Sequence, residues 1–106
     1  MTPEKYVQNK IIDFLKTIPC LVYERRQAGG FNYKAGLPDL WFVYRGVHVE
    51  VEVKAPGGEP SSLQIKQEAR FELAGANYWR GDSAADFTKW FESVFALPKF
   101  TESSHT

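Results

Sequence analysis

The chain has 106 residues, of which 43% are hydrophobic and 15% aromatic, so it can bury the core of one small domain and is not a disordered or low-complexity protein. Its 13 basic and 13 acidic residues cancel, which argues against a protein that holds nucleic acid by bulk charge alone. One cysteine, Cys20, and two histidines exclude an intrachain disulfide framework and a Cys/His zinc site.

The chain begins with a helix signal. Thr2 supplies a capping hydroxyl, Pro3 suits the first helical position, and Glu4 places an acid in the first turn. Apolar residues at helical spacing predict that the helix continues and ends before Pro19; they are Val7, Ile11, Phe14 or Leu15, and Ile18. Glu4 lies on the amino-terminal extension of this buried stripe.

A short strand over residues 20–24 is predicted to lead into a loop, residues 25–36, with three glycines, three cations and two aromatic residues. The cations are interleaved with aromatic rings; the residues are Arg25, Arg26, Phe31, Tyr33 and Lys34. Such a loop can clamp phosphates and stack on an unpaired base, although most loops of this kind are only solvated. Both interpretations remain open at this point.

The middle of the chain predicts a β-hairpin, residues 39–44 and 47–54 around Arg45-Gly46. In the second arm, valines alternate with polar residues: Val47, Val49, Val51 and Val53 against His48, Glu50, Glu52 and Lys54. Because side chains alternate between the two faces of a strand, we expect the valines to face the core and the polar residues to share the other face.

The last third predicts a helix, a strand and a final helix. Ser61 and Gln64 are spaced as in a capping box and Gly75 ends the helix, whose inward stripe is Leu63, Gln67, Phe71 and Ala74. Residues 77–80 form a short strand. Ser83 then opens a helix whose predicted stripe is Phe87, Trp90 or Phe91, Val94 and Leu97.

If Arg45-Gly46 is a two-residue hairpin loop, Asp39 lies opposite Glu52, and their Cβ atoms are about 5 Å apart. Two carboxylates at about 5 Å repel by roughly 3 kcal/mol at an effective dielectric of about 20, which a small domain does not accept uncompensated. A divalent cation compensates it, and an all-oxygen site favours Mg²⁺ or Mn²⁺. A three-residue loop is also open, because arginine tolerates positive φ poorly; it would need a bulge to restore the shared face.

These residues resemble, in order and spacing, the VRR-NUC domain of the PD-(D/E)XK nuclease superfamily. The matching segments are Gly36-Leu37-Pro38-Asp39-Leu40, Glu52-Val53-Lys54, and Leu63 and Gln67 in the following helix. The resemblance implies an α/β fold with an α-β-β-β-α-β core, a four-stranded mixed sheet flanked by helices and an additional C-terminal helix. It also implies phosphodiester hydrolysis assisted by Mg²⁺ or Mn²⁺, and a homodimer that acts on branched DNA such as Holliday junctions.

Carried over by position, the resemblance makes Asp39 and Glu52 the metal ligands, joined by the backbone carbonyl of Val53. Lys54 would orient the attacking water or stabilise charge on the phosphate. Glu4 matches the acid in the first helix of the family, and Gln67 would position the lysine or a water on the metal. Glu50 shares the face of Glu52, which leaves the carboxylate assignment on this strand open.

We therefore predict a metal-dependent, structure-selective DNA endonuclease, with one domain over residues 1–97 and a tail over 98–106. A non-catalytic nucleic-acid-binding module with the same fold is the alternative. No apolar run reaches the roughly 20 residues that span a bilayer, and no signal-like stretch begins the chain, so we expect no membrane partner and a cytoplasmic protein in a bacterium or a virus-infected cell.

Overall fold

The computed structural model describes residues 1–26 and 36–96, and it contains three helices and four strands in these ranges. In chain order they are α1 (Pro3–Leu15), β1 (Val22–Arg25), β2 (Leu40–Tyr44), β3 (Val47–Val53), α2 (Ser62–Leu73), β4 (Asn77–Gly81) and α3 (Ala84–Phe95). This order is the predicted α-β-β-β-α-β core followed by a helix. The predicted Leu97, Lys34 and the tail over residues 98–106 lie outside the described residues.

The four strands form one mixed sheet in the order β1-β2-β3-β4. Strand β2 is antiparallel to both β1 and β3. Strand β4, which follows the α2 crossover, runs parallel to β3. The β2–β3 register pairs Tyr44 with Val47 and Leu40 with Val51, so the two-residue loop is the correct alternative. Arg45 and Gly46 both have positive φ, 52° and 77°, as this tight turn requires.

Helices α1 and α3 cover one face of the sheet and enclose the hydrophobic core with it. On the strands, the core residues are Leu40, Phe42, Tyr44, Val49, Val51, Val53 and Trp79; on the helices, they are Ile11, Ile12, Leu15, Phe87, Phe91 and Phe95. The ring centroid of Phe91 lies 5.5 Å from that of Phe42 and 4.6 Å from that of Phe95. The valine face of β3 is thus the core face, as predicted.

Helix α2 lies on the opposite face, where its side chains reach the charged residues of β3 and β4. Gln64 donates a hydrogen bond to Glu52, and Glu68 accepts one from Arg80 at 2.5 Å. The start of α2 packs against Gly36, which has a φ of 84° and whose missing Cβ would lie 2.6 Å from Leu63 Cγ. Glycine at position 36 therefore lets the loop before β2 approach α2.

The predicted helix starts are confirmed, whereas part of the predicted inward stripes is wrong. Thr2, Ser61 and Ser83 each cap a helix through the side-chain oxygen, and Ser61 and Gln64 form a complete capping box. Leu63 and Ala74 in α2 and Val94 in α3 are exposed instead of buried. The outward rotation of α2 arises because this helix covers a polar sheet face, so Gln67 is its buried residue.

Candidate active site

Asp39 stands one residue before β2, at the end of the sheet where β3 finishes. It follows Pro38, which is fully buried, and its side chain is half-buried. Its Oδ2 atom accepts a hydrogen bond of 2.9 Å from the backbone N–H of Val53. The hairpin register, extended by one pair beyond Leu40 and Val51, brings Asp39 alongside Glu52. The predicted meeting of these two acids is therefore present in the structure.

Glu52 is almost completely buried, with 2% of its surface exposed. Its Oε2 atom accepts a hydrogen bond of 2.9 Å from Gln64 Nε2 and lies 3.9 Å from Lys54 Nζ. Its Oε1 atom is buried and has no hydrogen-bond partner among the described residues. A buried carboxylate oxygen without a partner is costly, so this atom is available for a ligand.

The environment of the two carboxylates disfavours their charged forms. Burial, and then the negative charge of Asp39, raise the pKa of Glu52 to about 8, against the opposing effect of the Lys54 ammonium. Burial also raises the pKa of Asp39, although the hydrogen bond from Val53 acts in the other direction. The protein alone therefore does not supply enough positive charge to hold both groups ionised at neutral pH.

Lys54 is held by Gln64 rather than by the predicted Gln67. Its Nζ atom donates a hydrogen bond of 2.8 Å to Gln64 Oε1, which also accepts one of 2.9 Å from the backbone N–H of Ser61. Gln64 thus caps α2 and bridges Lys54 and Glu52 at once. Gln67 is buried one turn later, where its Oε1 accepts a hydrogen bond from Arg70.

The sequence interpretation missed this role of Gln64 because the capping box already explained the residue. The sequence does contain a signal for this role: the capping box with Gln64 lies at the start of the helix that follows the strand with Glu52 and Lys54. A residue in the first turn of α2 lies near the end of β3, whereas Gln67 lies one turn further along the helix.

Glu4 lies in the first turn of α1 and is half-buried. Its negative charge contributes to the raised pKa of both Asp39 and Glu52. The folded chain therefore brings the acid of the first helix within electrostatic range of the pair. Among the described residues, Glu4 does not form a three-acid metal cluster with Asp39 and Glu52, and metal binding through Glu4 stays a prediction.

The donor set at this site fits a hard divalent cation. Over residues 1–26 and 36–96, no cluster of three or more His, Cys, Asp or Glu side chains is arranged to hold a metal. The candidate ligands remain those that the resemblance implies, namely the carboxylates of Asp39 and Glu52 and the backbone carbonyl of Val53. The partnerless Glu52 Oε1 and the mutual repulsion of the two acids are the two features that a cation would relieve.

Two of the three predicted phosphate-binding cations, Arg25 and Arg26, lie in the described part of the chain, and both have partners within the protein. Arg25 donates a hydrogen bond of 2.6 Å to Asn9 Oδ1. Arg26 forms a bidentate ion pair with Glu50, in which Nη1 lies 2.6 Å from Oε1 and Nη2 lies 3.1 Å from Oε2. The Arg26 guanidinium is therefore bound to Glu50, and its predicted contact with a DNA phosphate stays a prediction.

Glu50 and His48, to which the sequence assigned no definite role, are in contact with each other. Glu50 is fully buried, and its Oε2 atom lies 2.5 Å from His48 Nε2. The His48 ring is stacked on Trp41, with their centroids 5.4 Å apart. Both Glu50 oxygens therefore have partners, whereas Glu52 has one oxygen without a partner among the described residues.

No family model and no curated protein matches the chain, but solved structures do. A structure described as "VRR_NUC domain" superposes with a TM-score of 0.73 at 28% sequence identity, over 87% of this chain and 97% of that chain. No helix within the described ranges is long and apolar enough to cross a membrane. The resemblance predicted from the sequence is confirmed, and the chain has the fold of a VRR-NUC nuclease domain.

Proposed function

We propose that the protein is a Mg²⁺- or Mn²⁺-dependent endonuclease that hydrolyses phosphodiester bonds in DNA, with branched DNA such as a Holliday junction as its substrate. The observation that carries the proposal is the pair of half-buried Asp39 and buried Glu52 next to Lys54, with Glu52 Oε1 left without a partner among the described residues. Burying a carboxylate oxygen without a partner beside a second acid is energetically unfavourable, and such an arrangement is expected at a functional site and not in a structural core. The match to the VRR_NUC domain supports the nuclease class.

Asp39, Glu52 and the Val53 carbonyl would hold the metal. When bound, a divalent cation supplies a Lewis acid that polarises the phosphate and activates water. The raised pKa values of Asp39 and Glu52 mean that cation binding is coupled to proton release from this pair. Burial of Glu52 fixes its rotamer, so the ligand oxygens need little rearrangement.

Lys54 would supply the positive charge that stabilises the phosphate as negative charge develops on it. Its Nζ atom is held 2.8 Å from Gln64 and 3.9 Å from Glu52, which directs the ammonium group to the acid pair. Gln64 acts as a positioning residue because it contacts both Lys54 and Glu52 without itself bearing charge. The predicted contacts of Arg25 and Lys34 with DNA phosphates are part of this proposal.

The activity test is a cleavage panel with labelled linear duplex, flap and four-way DNA in Mg²⁺ or Mn²⁺. We expect phosphodiester cleavage, and faster cleavage of branched than of linear DNA. Failure to cut any substrate at protein concentrations that bind it would contradict the proposal and favour the non-catalytic DNA-binding module. Cleavage of all substrates at equal rates would support the nuclease activity but contradict the preference for branched DNA.

The homodimer is proposed on the same resemblance and on exposed apolar side chains. Val22, Ile65 and Leu73 have exposed fractions of 61%, 52% and 89%, so they offer apolar surface that a second copy of the chain could cover. Light scattering at micromolar concentration should give twice the 12.1 kDa mass of the chain. A monomer mass would contradict this part of the proposal without affecting the hydrolytic chemistry.

A further inference from the structure

We infer that the ion pair between Arg26 and the buried Glu50 fixes the backbone of Asp39, so that Arg26 positions the proposed metal-binding acid and does not contact the DNA backbone. The inference rests on the proposed function for its catalytic consequence. The claim that Arg26 and Glu50 hold Asp39 in place does not depend on the proposed function. It starts from the contacts that Arg26 makes to both peptide groups flanking that residue.

The guanidinium and the main chain of Arg26 act on Asp39 from the same side. Nη1 of Arg26 donates a hydrogen bond of 3.0 Å to the carbonyl of Pro38, which belongs to the peptide before Asp39. The backbone N–H of Arg26 donates one of 2.8 Å to the carbonyl of Asp39, which belongs to the peptide after it. Both peptide planes around Asp39 are thereby held, which restricts its φ and ψ.

Glu50 holds the guanidinium in the orientation that this contact needs. Its two oxygens lie 2.6 Å from Nη1 and 3.1 Å from Nη2 of Arg26, and Glu50 has no exposed surface. A fully buried carboxylate requires such a partner because desolvation alone would expel its charge. On the other side, the Arg26 guanidinium lies 6.0 Å from the ring centroid of Phe71 in α2. Arg26 therefore links the start of β2, the middle of β3 and helix α2.

The hydrogen bond between Asp39 and Val53 connects the position of the Asp39 backbone to the candidate metal site. The Asp39 carboxylate accepts the Val53 N–H at 2.9 Å, and Val53 lies between Glu52 and Lys54 in β3. If the backbone of Asp39 shifts, this bond lengthens and the two carboxylates lose their fixed separation. Lysine cannot replace Arg26, because an ammonium group lacks the planar fork that bonds Glu50 and Pro38 together.

The test compares Arg26→Lys with Arg45→Lys. Arg45 is a matched control because it also donates to a carbonyl, that of Phe95 at 3.2 Å, and also lies over an aromatic ring, that of Tyr44 at 4.9 Å. It does so at the hairpin tip, at the opposite end of β3 from Glu52. Glu50→Gln is the second variant and should reproduce the effect of Arg26→Lys if the pair acts as a unit.

The first readout is amide hydrogen exchange of Val53, measured by NMR without metal or DNA. We expect exchange at Val53 to accelerate at least about tenfold in Arg26→Lys and Glu50→Gln, and to stay unchanged in Arg45→Lys. The Lys54 amide, which donates to Gly81 at 2.8 Å, should stay protected and serves as the internal reference. Unchanged Val53 exchange in both variants would overturn the inference.

The second readout is Mn²⁺ binding by calorimetry, for which we expect about tenfold weaker affinity in Arg26→Lys. Ile12→Val, in the core on the other face of the sheet, controls for lower stability alone and should leave Mn²⁺ affinity unchanged. An equal loss of affinity in Ile12→Val would overturn the positioning role. If wild-type protein binds no Mn²⁺ while Val53 exchange still responds to Arg26→Lys, the proposed function fails and the structural positioning of Asp39 stands.

Discussion

The two faces of strand β3 are equally buried and have opposite chemistry. On one face, Val49, Val51 and Val53 pack against the aromatic core and have at most 1% of their surface exposed. On the other face, Glu50 and Glu52 have 0% and 2% exposed, although both are acids. Burial of the valines stabilises the fold, whereas burial of the acids has to be compensated contact by contact.

The two acids differ in how completely they are compensated. Glu50 has partners for both oxygens, supplied by Arg26 and His48. Glu52 has partners for one oxygen, and burial together with Asp39 raises its pKa to about 8. We interpret Glu50 as the structural acid of this face and Glu52 as the acid kept open for a metal.

The largest expected effect on the charged face is loss of cleavage without loss of folding. Asp39→Asn keeps an oxygen that can accept the Val53 N–H but removes the charge, and Lys54→Ala removes the ammonium group. Each should reduce the cleavage rate by at least about 10³-fold, since both act where charge develops. Gel cleavage assays measure the rate, and DNA-binding assays together with circular dichroism should show retained binding and fold. Loss of folding in both variants would point to a structural role instead.

The valine face should respond in the opposite way. Phe91→Ala removes a fully buried ring that contacts Phe42 and Phe95, and should lower the free energy of unfolding by about 3 to 5 kcal/mol. Urea denaturation measures this change. At temperatures where the variant remains folded, its Mn²⁺ affinity should equal that of the wild type. A specific loss of metal binding in folded Phe91→Ala would break the division between the two faces.

Glu52→Gln should stabilise the metal-free protein at alkaline pH. Because folding raises the pKa of Glu52 from 4.5 to about 8, the folded state binds this proton more tightly, and stability falls as pH rises from about 4.5 to 8. Glutamine has no such titration, so at pH 9 the variant should be more stable by about 1 to 3 kcal/mol. Thermal unfolding across pH in the presence of a chelator measures this. If Glu52→Gln is less stable than the wild type at pH 9, ionised Glu52 does not destabilise the fold, and the prediction is wrong.

The smallest effect distinguishes two glutamines of the same helix. Gln64→Leu removes the bridge between Lys54 and Glu52 and should slow cleavage by about 10- to 100-fold. Gln67→Leu removes only the bond from Arg70 and should slow it much less. Steady-state kinetics on one DNA substrate decide between them. A larger loss in Gln67→Leu would restore the assignment made from the sequence.

Local patterns predicted the elements and, as one of two alternatives, the hairpin register that the structure has. The capping residues Thr2, Ser61 and Ser83 were readable from the sequence, and the period-two valines identified the core face of β3. The two-residue loop at Arg45-Gly46 then fixed which residues of β2 and β3 are paired. Asp39 and Glu52 could therefore be brought together without a structure.

Features that depend on contacts far apart in the chain were not readable. The rotation of α2 about its axis depends on which sheet face the helix covers, so Leu63 was expected inside and Gln64 was given only a capping role. The partnership of Arg26 with Glu50 joins residues 24 positions apart, one directly after β1 and the other within β3. From the sequence alone, Arg26 is one more cation in a loop, and its buried partner is one more acid in an alternating strand.

The most direct test of the central claim is anomalous diffraction from crystals soaked in Mn²⁺. We expect one anomalous peak within coordination distance of the Glu52 Oε1 atom and the Asp39 carboxylate, and no such peak in Glu52→Gln crystals soaked in the same way. Wild-type crystals with no peak between the two acids at saturating Mn²⁺, or a peak that persists in the variant, would contradict the account.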